Sequence, residues 1–201
     1  MAKKPIETCH LGSKYTLPHS EFMTDEKLYI HEHLETLYFI AKEFKCKTMV
    51  EIGTGIGAST LALAQAAGET DGHLTTFDID QCLDAKDNIK YHKLEDYVTF
   101  LTTDSYSYSG KVDLLFIDGD HHKDAVKKDI IKFFNDNIKI GTWIIFHDTC
   151  NPKWMHDISQ AMSECFINWE SYSNPRKQRF VHYEWYNCNG LHVMRYDHDE
   201  R

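Results

Sequence analysis

The chain has 201 residues, with 22 Lys plus Arg against 31 Asp plus Glu and a formal charge of -9 when its 13 His are neutral. That length predicts one domain, and an apolar share of 42 % with 10 Gly and 4 Pro excludes a disordered or fibrous chain. The acidic balance, with no basic run, excludes a general polyanion binder, so the expected partner is a small molecule and not nucleic acid. No window approaches the roughly 18 apolar residues of a membrane span, and the charged start at Lys3 and Lys4 is followed by no apolar stretch. Six scattered cysteines with no CxxC pair are expected to be reduced thiols. Together these features lead us to expect a cytoplasmic protein with no membrane partner.

Thr24 can cap a helix that runs to about residue 44, because Leu28, His31, Leu34, Leu37, Tyr38 and Ala41 recur at three- and four-residue spacing. Residues 48–52 form a short apolar run that reads as a first strand, followed at once by a glycine turn and a helix over 58–67. A second strand over 74–77 ends at Asp78, a helix is expected over 81–94, and a third strand over 98–101. Residues 112–117 are the most strand-like run, followed by Asp118-Gly119-Asp120-His121, a helix over 122–134 and a fifth strand over 142–146 that ends at His147 and Asp148. Strands alternating with helices imply right-handed crossovers and a parallel sheet. Further on, a helix is expected over 153–166. Runs at 180–186 and 191–196 flank the turn-forming Asn187-Cys188-Asn189-Gly190 and read as a hairpin. The expected fold is a Rossmann-like, doubly wound α/β domain with a mostly parallel seven-stranded sheet and a C-terminal antiparallel hairpin. It divides into a helical cap over 1–45, a cofactor-binding core over 46–148, and an acceptor lid plus hairpin over 149–201.

The run Glu51-Ile52-Gly53-Thr54-Gly55-Ile56-Gly57 stands where the first strand gives way to a helix, the place where a doubly wound sheet binds a nucleotide-like ligand. The third glycine falls one place early for a nicotinamide dinucleotide fingerprint, and Glu51 would repel a pyrophosphate. A cationic, sugar-bearing ligand suits the run better, and S-adenosylmethionine is such a ligand. Asp78, 25 residues past Gly53, is placed to accept from ribose hydroxyls, with Ile79 beside it and Asp80 as a competitor. Asp104 and Ser105 follow the third strand and would lie over an adenine, with Tyr106 or Tyr108 to stack on it.

Taken together, Glu51 to Gly57, Asp78, Asp104-Ser105 and Phe116-Ile117-Asp118-Gly119-Asp120-His121 resemble a class I S-adenosylmethionine-dependent methyltransferase. The Asp-Gly-Asp-His string is similar to that of small-molecule O-methyltransferases acting on sugars and natural products, some of which bind Mg²⁺. The resemblance implies a hydroxylated small-molecule acceptor, cofactor contacts from Glu51, Gly53, Thr54, Gly55, Gly57, Asp78, Ile79, Asp104, Ser105 and Asp118, metal ligation by Asp118 and Asp148, and His121 as general base. His122 and His147 are rivals for the base. Catechol-type relatives place Asn directly after the second aspartate; here Thr149 holds that position, with Asn151 two places further on.

Two other readings share the architecture: a nicotinamide-dependent oxidoreductase and a non-catalytic binding protein. A zinc site from His147, Asp148, Cys150 and His156 matches no closed tetrahedral spacing. His31-Glu32-His33 is no metal motif on a helix, where i and i+2 diverge. Trp154, Trp169, Tyr172, Arg176, Lys177 and Arg179 are expected to form the acceptor lid, and the leading helix a second cover or a homodimer surface.

Overall fold

The structure, a computed structural model, describes residues 29–170 and 178–198. A short 3₁₀ turn (His31–His33) leads into α1 (Leu34–Glu43), followed by β1 (Thr48–Ile52), α2 (Ala58–Thr70), β2 (His73–Asp78), α3 (Leu83–Tyr91) and β3 (Val98–Thr102). Next come β4 (Leu114–Ile117), α4 (Lys123–Asp136), β5 (Trp143–His147), α5 (Met155–Glu170), β6 (Gln178–Trp185) and β7 (Leu191–His198). One sheet runs in the order β3-β2-β1-β4-β5-β7-β6. Strands β1 to β5 pair in parallel, while β7 pairs antiparallel with both β5 and β6. The expected doubly wound sheet with its terminal hairpin is therefore present, and no described helix is long and apolar enough to cross a membrane.

Alternation along each central strand splits the core in two. Met49, Leu114, Phe116 and Ile145 face α1, α2 and Ile89 of α3, whereas Val50, Leu115, Ile117, Ile144 and Phe146 face α4 and α5. Both faces are covered, which is why the central strands read as unbroken apolar runs. Each fully buried Leu, Ile or Phe contributes about 1.5–3 kcal/mol. Helix α2 is buried nearly all round, from Ala58 to Ala67, and its alanines let it lie close to both the sheet and α1.

Strand β1 has the expected bounds, and the other elements shift by a few residues. Helix α3 begins at Leu83 instead of residue 81, because Cys82 adopts a left-handed conformation (φ 46°) at its N-cap. It stops at Tyr91 where 94 was expected, and Lys93 turns left-handed just beyond (φ 60°). Thr24 and Leu28 lie outside the described residues. Cys46, Cys82, Cys150, Cys165 and Cys188 are free thiols, as expected.

Candidate active site

The order reverses between β1 and β4, whose neighbours run outward in opposite directions, and the candidate site opens at the carboxyl ends of these strands. Gly53 links them. Its N–H donates to Phe77 O at 2.8 Å, and the Asp118 N–H donates to Ile52 O at 2.8 Å. With φ at 95°, Gly53 lies so close to β4 that a Cβ placed there would stand 2.1 Å from the Asp118 carbonyl oxygen. No other residue fits this crossing. The turn is held from the side by Asp78, whose Oδ2 accepts from the Thr54 and Gly55 N–H groups at 2.9 and 3.0 Å, while its Oδ1 accepts from Asp80 N–H. Burial would raise the Asp78 carboxyl, but these backbone donors bring it below the ordinary range.

A cavity of about 1150 Å³ spreads over this turn, large enough for two small molecules side by side. One end is lined by Gly53, Gly55, Asp78, Ile79, Ser105 and Tyr106, and Thr54, Gly57 and Asp104 also reach it. Ile79, 83 % exposed, offers an uncovered apolar face there. Of the two tyrosines, Tyr106 lines the cavity, whereas Tyr108 packs on Phe77 and Phe133 in the core. Asp104 caps its own short turn by accepting from Tyr106 N–H. The Ser105 hydroxyl donates to Asp129 of α4, whose carboxyl burial pushes up to about 6.

Glu51 does not reach the cavity. It is wholly buried within the sheet, accepts from the Thr60 and Thr76 hydroxyls at 2.6 and 2.7 Å through Oε2, and leaves Oε1 without a partner. Burial pushes its carboxyl up to about 7. The expected contact of Glu51 with a ligand is thus replaced by support of the turn from beneath. The reason lies in β1, where side chains alternate between faces and Glu51 points toward the face covered by α2.

The other end of the cavity is lined by Asp118, His147, Asp148, Asn151 and Trp154, with Tyr29 and Asn189 above. Parallel register makes this cluster: Ile117 pairs with Phe146, so the next residues, Asp118 and His147, come side by side. His147 Nδ1 lies 3.1 Å from Asp118 Oδ1 and 3.8 Å from Asp148 Oδ2. His121 Nε2 lies 3.3 Å from Asp118 Oδ1 and 2.9 Å from Asp148 Oδ2, and its ring stacks on Trp154. Burial opposes charge on both rings, but the two carboxylates outweigh it and raise each histidine to about 9. Conversely, burial would raise Asp118, and its histidine neighbours instead hold it at about 2. Asp148 is also lowered, against burial, chiefly by His121.

His121 therefore carries its proton at neutral pH and stands behind the carboxylates, lining a small adjoining cavity with Val126, Phe146 and Ile158. That position does not suit the expected general base; Asp118 and Asp148 are the groups that face the main cavity. His122 is exposed and bonded to Asp120. Cys150 and His156 do not join the cluster among the described residues. Sequence spacing missed His147 as the third member, although the strand-end register contains the signal. It also missed a second group, in which Cys188 of the hairpin turn meets His31 and Glu32. Of the expected lid, only Trp154 has a described side chain.

A family profile described as a methyltransferase domain matches residues 50–149. By structure, the chain is similar to an O-methyltransferase from Bacillus cereus in complex with SAH, at 19% identity over 93% of this chain and 93% of that one, with a TM-score of 0.68. It is also similar to the SAH-bound methyltransferase of Podospora anserina, at 16% identity over 89% and 86% of the two chains and a TM-score of 0.67. A third likeness is to the Streptomyces achromogenes O-methyltransferase involved in tomaymycin synthesis, in complex with SAM, at 15% identity, 93% and 92% coverage and a TM-score of 0.65. Among curated protein sequences none matches.

Proposed function

Residues 50–149 being a methyltransferase domain, we propose that the chain transfers a methyl group from S-adenosylmethionine to a hydroxyl of a small molecule of sugar or natural-product type. The observation that carries this reading is the single cavity joining the glycine turn, Asp78 and Ile79 at one end to Asp118 and Asp148 at the other. The first end suits a nucleoside: a carboxylate for ribose hydroxyls, and Ile79 and Tyr106 for the adenine faces. The second end, lined by Asp118, Asp148, Asn151 and Trp154, suits a polar acceptor. The SAH- and SAM-bound neighbours support the choice of donor.

The transfer is an in-line displacement in which the hydroxyl oxygen bonds the sulfonium methyl carbon as the carbon–sulfur bond breaks and its electron pair returns to sulfur. Positioning supplies most of the help. The hydroxyl proton goes to the carboxylate of Asp148, on the cavity wall, and His121 holds that carboxylate in place from behind. His121 is therefore a positioning residue.

The Mg²⁺ of metal-dependent relatives would be held here by the carboxylates of Asp118 and Asp148 with waters, and would supply positive charge beside the acceptor hydroxyl. Asn151 is not placed as a third ligand, since its amide nitrogen donates to Asp148 Oδ1 at 2.9 Å and its own Oδ1 accepts from Lys153 N–H. No step above passes through the ion.

The test is incubation with S-adenosylmethionine and a panel of hydroxylated sugars and phenols, read by mass spectrometry. Gain of one methyl on an acceptor oxygen is expected; methylation only of amines in a matched panel would overturn the hydroxyl assignment.

A further inference from the structure

The turn between β6 and β7 comes down on the leading 3₁₀ turn and gathers three donors of different kinds. His31, Glu32 and Cys188 each place a ligand atom within 4.8 Å of the other two. Cys188 Sγ lies 3.5 Å from His31 Nδ1 and 3.8 Å from its Nε2, and that Nε2 lies 3.7 Å from Glu32 Oε1. A tetrahedral zinc ion, with sulfur at about 2.3 Å and nitrogen and oxygen at about 2.0–2.1 Å, holds its S and N ligands roughly 3.5 Å apart and its N and O ligands roughly 3.3 Å apart. The three side chains therefore stand a few tenths of an ångström outside such a shell, a gap that small side-chain rotations close.

Outer contacts fix the donors in place. Asn187 of the hairpin turn donates through Nδ2 to Glu32 Oε2, and its carbonyl oxygen lies 2.9 Å from His33 Nε2, so the two turns are fastened on either side of the cluster. Partners of this kind set the direction in which a ligand side chain points. The Glu32 N–H donates to the Cys188 sulfur and its carboxylate accepts from the thiol; burial, joined by that carboxylate, raises the thiol above its ordinary range.

The donor chemistry selects the ion. A sulfur and an imidazole nitrogen beside one carboxylate suit Zn²⁺, whereas Mg²⁺ and Ca²⁺ take oxygen ligands. Water completes the fourth position.

We infer that His31, Glu32 and Cys188 bind a zinc ion that clasps the β6–β7 turn to the leading turn. The Cys188 thiol proton passes to the buffer as the zinc–sulfur bond forms, and nothing is oxidised or reduced. The clasp joins the two segments above one end of the cavity: Tyr29 and Asn189 line it, and the Tyr29 and Cys188 carbonyls lie 3.3 and 3.1 Å from His147 Nε2. That this end takes the methyl acceptor rests on the methyl-transfer reading, but the binding of the ion does not.

The experiment uses the full chain, reduced and stripped of metal, titrated with Co²⁺ and then with Zn²⁺, beside a separate titration with S-adenosylhomocysteine. We expect one equivalent of Co²⁺ to give a thiolate-to-metal charge-transfer band that Zn²⁺ abolishes and a roughly hundredfold excess of Mg²⁺ leaves intact. Cys188→Ser should remove the band, His31→Ala should weaken Co²⁺ by about tenfold or more, and Cys150→Ser should leave both unchanged. Zn²⁺ should also raise the unfolding temperature of the parent more than that of Cys188→Ser. Absence of the band, its persistence in Cys188→Ser, or its loss in Cys150→Ser would overturn the inference. Failure to bind S-adenosylhomocysteine with the band intact would instead count against the methyltransferase reading alone.

Discussion

His147 Nδ1 stands 3.1 Å from Asp118 Oδ1, two residues that are 29 apart in the chain and adjacent only because β4 and β5 run in parallel register. That contact gathers the end of the cavity proposed for the acceptor. It also ties the site to the cover above it, since the other nitrogen of His147 meets the Cys188 and Tyr29 carbonyls.

Asp78 serves two partners, the glycine-turn amides it holds and the ribose it is proposed to accept from. Asp78→Ala should weaken S-adenosylhomocysteine binding by about 1–3 kcal/mol, measured by calorimetry. Unchanged affinity would move the ribose contact to Asp80.

Gly53→Ala forces a side chain into a left-handed backbone at φ 95° and into the Asp118 carbonyl. The expected loss of stability is about 3 kcal/mol or more, read by urea unfolding. A variant as stable as the parent would show that β1 and β4 are not so tightly joined.

Asp129 gives a pH dependence. Its carboxyl is raised from 3.8 to about 6 by burial, so its contribution to stability is fully present below about pH 3.8 and is lost as pH rises through about 6. Asp129→Asn keeps an acceptor for Ser105 and removes the charge. Relative to the parent, the variant should gain about 2 kcal/mol between pH 4 and pH 7.5, as measured by denaturant unfolding at each pH. A constant difference would mean that Asp129 titrates normally.

His121→Ala should lower turnover by about 10- to 100-fold at unchanged S-adenosylhomocysteine affinity, with partial recovery on adding imidazole. A loss with no recovery, accompanied by weaker donor binding, would mark a purely structural role.

Much of the fold was legible because the strands are short, apolar and bounded by acidic or glycine-bearing ends, and β1 has the expected bounds. Helix α3 was overrun at both ends because a left-handed Cys82 and Lys93 carry no sequence warning. In the site, the glycine turn, Asp78 and the strand-end acids were readable from spacing. The fate of Glu51 was not, because whether a strand-end acid faces ligand or core depends on strand phase and on the helix that covers it. Nor could spacing show that His121, next to Asp118 in sequence, lines the small cavity behind the carboxylates while His147, across the sheet, lines the main one. Likewise, Cys188 meets His31 only because the hairpin turn folds over the leading 3₁₀ turn.

The central claim is that the cavity over Gly53, Gly55 and Asp78 holds the methyl donor. Isothermal titration of the purified chain with S-adenosylhomocysteine tests it most directly, with NADH as the competing ligand. Saturable one-site binding that NADH neither matches nor displaces is the predicted result; binding of NADH with no response to S-adenosylhomocysteine would contradict it.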